Sequence, residues 1–277
     1  MNKPSDNISV QILVSTIRVE GLRRLAKSSL PLAPWLSYLV GCQRGGDSPE
    51  SIGREFERLF GNRCDVSLKI YDTIGLSVSR NSLKSETTGD VMIFIDDDVA
   101  LDAGALAYVR DYFASHGEVD VVKTRIRING RFIGGDKPRC VRRNRWRGEY
   151  AVANALAMRR NSLDGLAFCP CLGVGAARYL SGEDDIFFTQ VLEKGLRVEY
   201  LPVEMAVHNG QSTAERFHSP GVLMARGLVL AYVQPHTWPV HAALLAARVE
   251  GSGWWRNFRT IARGASELKD IAELRRR

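Results

Sequence analysis

Three consecutive aspartates, Asp96, Asp97 and Asp98, end the apolar run of VMIFIDDDV (Val91–Val99). Carboxylates crowd into a small site only when protons or a cation neutralise them. A divalent cation with oxygen ligands does so. Mg²⁺ or Mn²⁺ typically keeps one or two carboxylates and completes its shell with water and phosphate. The run Val91–Ile95 reads as a strand buried on both faces. In open α/β sheets ligands bind beyond the carboxyl ends of the strands, where these aspartates fall. The competing reading is a solvated acidic loop.

A second acidic cluster lies in SGEDDIFFTQVLEKG (181–195). Ser181 reads as the N-cap of a helix that stops near Gly195. Glu183, Asp184 and Asp185 then occupy its first turn, where the helix dipole favours negative charge. That placement requires no function by itself. The helical period separates the three. Asp184 precedes Phe188, Val191 and Leu192 by four, seven and eight residues, so it should point along the apolar face. Asp185, followed four residues on by Thr189, should be more exposed. An inward carboxylate at a helix start can serve as a general base, its pKa tuned by partial burial.

The elements that must position these clusters alternate. Strand patterns run over 8–17, 36–42, 65–71, 91–95 and 120–128, and helical patterns over 49–60, 77–90 and 102–117. Pro49 marks one helix start, and Gly89 and Gly117 mark two helix ends. This order predicts an α/β domain with a mostly parallel sheet flanked by helices. With 277 residues, 45% hydrophobic and 25% charged, the chain suits one large or two small globular domains. The five cysteines are odd in number, and Cys169-Pro-Cys171 lacks zinc-site spacing, so reduced thiols are expected. No signal-like N-terminus and no run of 18 apolar residues occurs, which leads to an expectation of a cytoplasmic protein. A net charge of +7 favours an anionic partner without choosing one.

Four segments in order resemble the family 2 glycosyltransferases, which have the GT-A, Rossmann-like nucleotide-sugar-binding fold. They are GLSVSRN (75–81), GDVMIFIDDDV (89–99), GVGAARYLSGEDDIFFTQVLEKGLRVEYLP (173–202) and VHNGQST (207–213). The resemblance covers roughly residues 8–215 and implies a GT-A domain over 1–218, with a C-terminal helical extension over 219–277. It also implies roles by position. Asp96 and Asp98 match the Asp-x-Asp pair, Asp96 near the ribose and Asp98 on a Mn²⁺ or Mg²⁺ ion, with Asp97 orienting the site or facing solvent. Asp184 matches the catalytic base, and Glu183 and Asp185 fall in the acceptor-binding turn. His208 falls where a residue near the metal or diphosphate is common. Arg80 and Asn81 match a pair that meets the nucleotide. Thr16 and Arg18 stand where the first loop would meet it. One departure is the segment after the second strand, VGCQRGGD (40–47), which lacks the family's usual base-reading aspartate. Gln43, Asp47 or Asp72 could take that task, and uridine and thymidine both stay open.

The implied activity is transfer of a sugar from a UDP- or dTDP-sugar to a saccharide or lipid-linked acceptor in surface-polysaccharide synthesis, with inversion. A non-catalytic nucleotide-sugar or polysaccharide-binding module on the same fold is the alternative. A basic belt, 123–148, holds ten basic residues and one acid. It carries no nucleic-acid motif, so no nucleic-acid partner is expected. The last forty residues read as helical, with Trp254, Trp255 and Phe258 beside Arg256, Arg259 and Arg263. Contact with the inner face of an anionic membrane and packing within the fold or in a homodimer both stay open there.

Overall fold

The computed structural model describes residues 8–208, 219–249, 253–271 and 274. Ten strands form one sheet flanked by eight helices among these residues. The first half alternates: β1 (Val10–Ile17), α1 (Arg18–Leu25), β2 (Leu36–Gln43), α2 (Pro49–Phe60), β3 (Val66–Tyr71), α3 (Leu76–Glu86) and β4 (Val91–Asp96). Its strands run parallel in the order β3-β2-β1-β4. After β5 (Val99–Leu101) and α4 (Ala103–Ser115), β6 (Val121–Ile128) leads into two short strands, β7 (Arg131–Ile133) and β8 (Arg139–Val141). Next come β9 (Leu156–Arg159), α5 (Glu183–Glu193) and β10 (Val198–His208). Three helices follow: α6 (Pro220–Val233), α7 (Trp238–Arg248) and α8 (Trp254–Ser266).

The sheet is mixed where the alternation predicts mostly parallel pairing. β9 runs antiparallel between β4 and β6, and β5 runs antiparallel to β10. Only β6 and β10 continue the parallel sense there. The reason lies between 121 and 182, where short strands and loops replace the helical crossover that parallel pairing needs. The belt opens with a two-residue hairpin between β6 and β7. Asn129 (φ 47°) and Gly130 (φ 77°) both take the left-handed conformation of a type I′ turn.

Helix limits follow local chemistry. Ser48 accepts a hydrogen bond from Ser51 N ahead of Pro49, and Asp102 accepts one from Ala105 N to start α4. Two stop-and-start signals act differently from expectation. α3 ends at Glu86 because Thr87 turns extended, and Gly89 instead lies close against Gln11 of β1. α5 starts from Gly182 (φ 92°), while the Ser181 hydroxyl caps nothing.

β4 is fully buried through its apolar run because both faces are covered. Ile93 and Ile95 pack with Leu22, Phe56 and Val109, from α1, α2 and α4. Met92 and Phe94 pack with Leu83, Phe187 and Val191, from α3 and α5. Burial of each such side chain contributes about 1.5–3 kcal/mol. A third cluster joins α6 to α5 and the segment before it: Leu172, Tyr179 and Ile186 meet Leu228, Val229 and Tyr232. α8 crosses α6 with backbone against backbone. A Cβ on Gly264 would stand 1.9 Å from Met224 O, and one on Gly227 1.8 Å from Ile261 O, so each crossing position needs glycine.

Candidate active site

The turn after β4 splays its three carboxylates in different directions. Asp96 stays with the strand, opposite Ser15 of β1. Its Oδ1 accepts from Arg80 Nη2 at 3.1 Å, and its Oδ2 accepts from Asn154 Nδ2 at 3.2 Å. Asp97 turns back toward α1. It accepts from Thr16 Oγ1 (2.5 Å) and from Arg24 Nε and Nη2 (2.9 and 2.8 Å), a bidentate pair. Gly21 permits this close approach, since a Cβ there would lie 1.9 Å from Thr16 Oγ1. Asp97 and Thr16 thus tie the strand end to α1. Burial pushes the Asp97 carboxyl up despite its partners.

Asp98 faces β10. The antiparallel pairing of β5 with β10 sets Val99 opposite His208, so Asp98 lies beside that ring. His208 Nε2 is 3.1 Å from Asp98 Oδ1 and holds the Asp98 carboxyl below its ordinary range. That oxygen is buried and has no aligned hydrogen-bond donor. An oxygen and a nitrogen donor side by side fit a Mn²⁺ or Mg²⁺ ion that takes its other ligands from water and phosphate. Among the described residues no group of three or more His, Cys, Asp or Glu side chains is arranged to hold a metal ion. Among the described residues, Asp98 and His208 are the two side chains placed to contribute to such a site. Residues 209–213 of the fourth resembling segment lie outside the described residues.

Arg80 is the hub of the second cluster. It projects from α3, only 1% exposed, over the Phe168 ring. Its guanidinium meets Asp184 Oδ1 at 2.5 Å, Asp96 Oδ1 at 3.1 Å and Glu183 Oε1 at 3.3 Å. One cation thus faces three carboxylates. Ala153 N donates to the other Asp184 oxygen at 2.9 Å. Burial raises the carboxyls of Glu183 and Asp184; repulsion from Asp184 adds to this at Glu183 and repulsion from Asp96 at both, while Arg80 opposes it.

Asp185 is buried, where the helical period suggests exposure. The period assumes one solvent-facing side on α5, but α6 covers that side. Arg226 of α6 brings Nη1 to 3.5 Å from Asp185 Oδ2, and Val229 fills the space over Gly182. Burial lifts the Asp185 carboxyl to about 6, with Arg226 pulling the other way.

These groups open on one cavity of about 720 Å³ at the carboxyl ends of β1 and β4. Of the residues singled out in the sequence, Thr16, Gln43, Arg80, Asp96, Asp97, Asp98, Glu183, Asp184, Asp185 and His208 line it. Gln43 accepts from Gly75 N at 2.7 Å, which fixes its amide at the rim. Four residues lie away from the lining. Asn81 is bound at both ends to the Phe168 backbone, at 2.8 Å each. Asp72 pairs with Arg44 on the surface, its side chain 80% exposed. Arg18, at φ 61°, reaches outward to Glu20 and Asp47. Asp47 itself accepts from Val19 N at the start of α1. Asn81 thus braces the loop that carries Phe168, and at the end of β1 it is Thr16 and Ile17 that line the cavity.

Sequence reasoning passed over Asn154, Lys123 and Arg226, which also line the cavity. Arg226 had a signal. It is a lone charge within PGVLMARGLVLAYV, and a charge in a buried helix needs a partner. Much of the basic belt is paired internally: Lys123 and Arg139 with Glu149, Arg127 with Glu204, Arg143 with Glu193.

The mixed sheet and its flanking helices have solved counterparts. The fold is similar to that of S. aureus TarS. TarS 1-349 in complex with UDP-GlcNAc aligns with a TM-score of 0.59 at 16% identity, covering 96% of this chain and 74% of that one. TarS 1-349 in complex with UDP gives 0.54 at 14%, covering 96% and 73%. A longer TarS structure gives 0.55 at 18%, covering 88% of this chain and 44% of that one. No family model and no curated protein matches the chain by sequence.

Proposed function

We propose that this protein is a metal-dependent, inverting glycosyltransferase. It moves a sugar from a UDP- or dTDP-sugar to a hydroxyl of a saccharide or lipid-linked acceptor in surface-polysaccharide synthesis. The observation that carries this reading is the convergence of two distant segments on one cavity. Asp96 and Asp98 end a buried strand, and Asp184 begins a helix 86 residues beyond Asp98. The likeness to TarS bound to UDP-GlcNAc and to UDP supports a nucleoside-diphosphate sugar as donor.

In this reading Gln43, Gly75 and Asp96 receive the nucleoside, with Asp96 toward the ribose. Asp98 and His208 would hold the divalent ion, which would supply positive charge to the departing diphosphate. Asp184 is the general base. Arg80 and Ala153 N fix its two oxygens in place, and each oxygen keeps a lone pair for a proton. Burial raises its basicity, the direction this task needs. The acceptor oxygen attacks the anomeric carbon as its proton passes to Asp184. The bond from that carbon to the diphosphate oxygen breaks, and the nucleoside diphosphate leaves with both electrons. Glu183 and Asp185 flank the acceptor side.

Calorimetric titration with UDP, dTDP, GDP and CDP, with Mn²⁺ or with EDTA, tests the donor half. UDP or dTDP should bind only with metal, and Asp98→Ala should abolish this. Asp184→Asn should keep nucleotide binding and lose about 10²–10⁴-fold in transfer rate. Folded protein that binds none of the four nucleotides would refute the reading.

A further inference from the structure

The outer face of α7 and α8 carries large apolar side chains in the open. Trp255 is 67% exposed, Val240 62%, Leu244 54% and Trp254 38%. Val240 and Leu244 stand one turn apart on α7. Trp254 Nε1 donates to Ala243 O at 3.0 Å, which brings the start of α8 beside Leu244. Trp254 also stacks on Phe258 and meets Trp255 edge-on, so the aromatic rings form one continuous surface. Arg256 and Arg259 are exposed on the same helix, and α8 contains no acidic residue. The opposite side of α8, with Ile261, Gly264 and Ala265, is buried against α6. The helix pair is thus anchored from behind and presents its aromatic, cationic side outward.

We propose that this face docks the protein on an anionic lipid bilayer. Tryptophans suit the headgroup boundary because one edge is apolar and the other can hydrogen-bond. Arginines around them complement anionic lipids, and no helix among the described residues is long and apolar enough to cross a membrane. A second copy of this chain fits the face poorly. A two-fold contact centred on it would bring the Arg256 and Arg259 of both copies into one interface with no acidic residue of α8 to offset them. The inference is independent of the nucleotide-sugar reading, since it rests on the helices and not on the carboxylate cavity.

Co-sedimentation of the full chain with vesicles tests it, using phosphatidylcholine alone or an equal mixture with phosphatidylglycerol. The protein should partition onto the anionic vesicles, with a blue shift in tryptophan emission, and should come off at high salt. The pair Arg256→Gln with Arg259→Gln should lower the partition constant about 30-fold, from roughly fivefold per charge. Trp255→Ala should lower it on the order of tenfold. Both variants alter exposed side chains, so circular dichroism should show an unchanged fold. Equal binding to both vesicle types, no binding to either, or variants that bind like wild type would overturn the proposal. So would a concentration-dependent dimer that Trp255→Ala dissolves while vesicles bind nothing.

Discussion

Asp185 should make this protein less stable as the pH rises from 4 to 7. Its carboxyl is buried at the start of α5 and lifted from 3.8 to about 6. The charged groups around it are Arg226 of α6, Lys123 of β6 and the neighbouring Asp184; Ala151 N donates to it. The folded state therefore holds the proton more tightly than the unfolded state. Stability from this group is full below about pH 4 and is lost as the pH passes 6. A shift of about two units corresponds to roughly 3 kcal/mol, taking 1.36 kcal/mol per unit. For 277 residues the unfolding entropy is roughly 0.6 kcal/mol/K, so the change equals about 5 °C in Tm. Asp185→Asn removes the titration and leaves the other raised carboxyls, Glu183 and Asp184, in both proteins. The measurement is urea unfolding of wild type and Asp185→Asn at half-unit steps from pH 4 to 7.5. The difference in unfolding free energy, variant minus wild type, should climb by about 3 kcal/mol across that window. A flat difference would refute the assignment of that burial to Asp185 and the role of α6 in causing it.

Two further perturbations follow from the same contacts. Arg80→Met leaves Asp96, Glu183 and Asp184 without their buried cation and should cost about 3–5 kcal/mol at pH 7, with part recovered at pH 5 as carboxyls take up protons; urea midpoints at the two values check this. Gly264→Ala drives a methyl into Met224 O and should cost roughly 1–3 kcal/mol or more, whereas Gly53→Ala, in open space on α2, should stabilise by about 0.5–1 kcal/mol; thermal melts of the two variants give the comparison.

Much of the parallel half is legible in the residues. Five apolar side chains without a polar break mark β4 as buried on both faces, and Pro49 with Ser48 fixes the start of α2. Hidden were features set by partners far along the chain. RVEGLRRL forms α1 although Gly21 weakens its pattern, because the glycine is needed for contact with Thr16. β9 is four residues long and pairs with strands on either side of it, which no local period announces. In the site, the two acidic clusters stand out by composition. Their sorting does not, because Asp97 is claimed by Arg24 across 73 residues and Asp185 by Arg226 across 41. Periodicity reports one face of one helix and is silent about a second helix that covers it.

The dependence of Asp185 on α6 also orders events in time. A ribosome makes the chain from its N-terminus, and early segments can collapse as they emerge. Strands β1 to β4 and their helices are complete by residue 96, so the floor of the cavity can form early. Its counter-charge at Arg226 and the cover over Gly182 at Val229 are synthesised much later, and α8 clasps α6 only after residue 264 has emerged. A nascent chain halted before α6 would carry Glu183, Asp184 and Asp185 without that cover. The carboxylates at its heart would stay hydrated and unassembled until α6 has emerged and packed against α5.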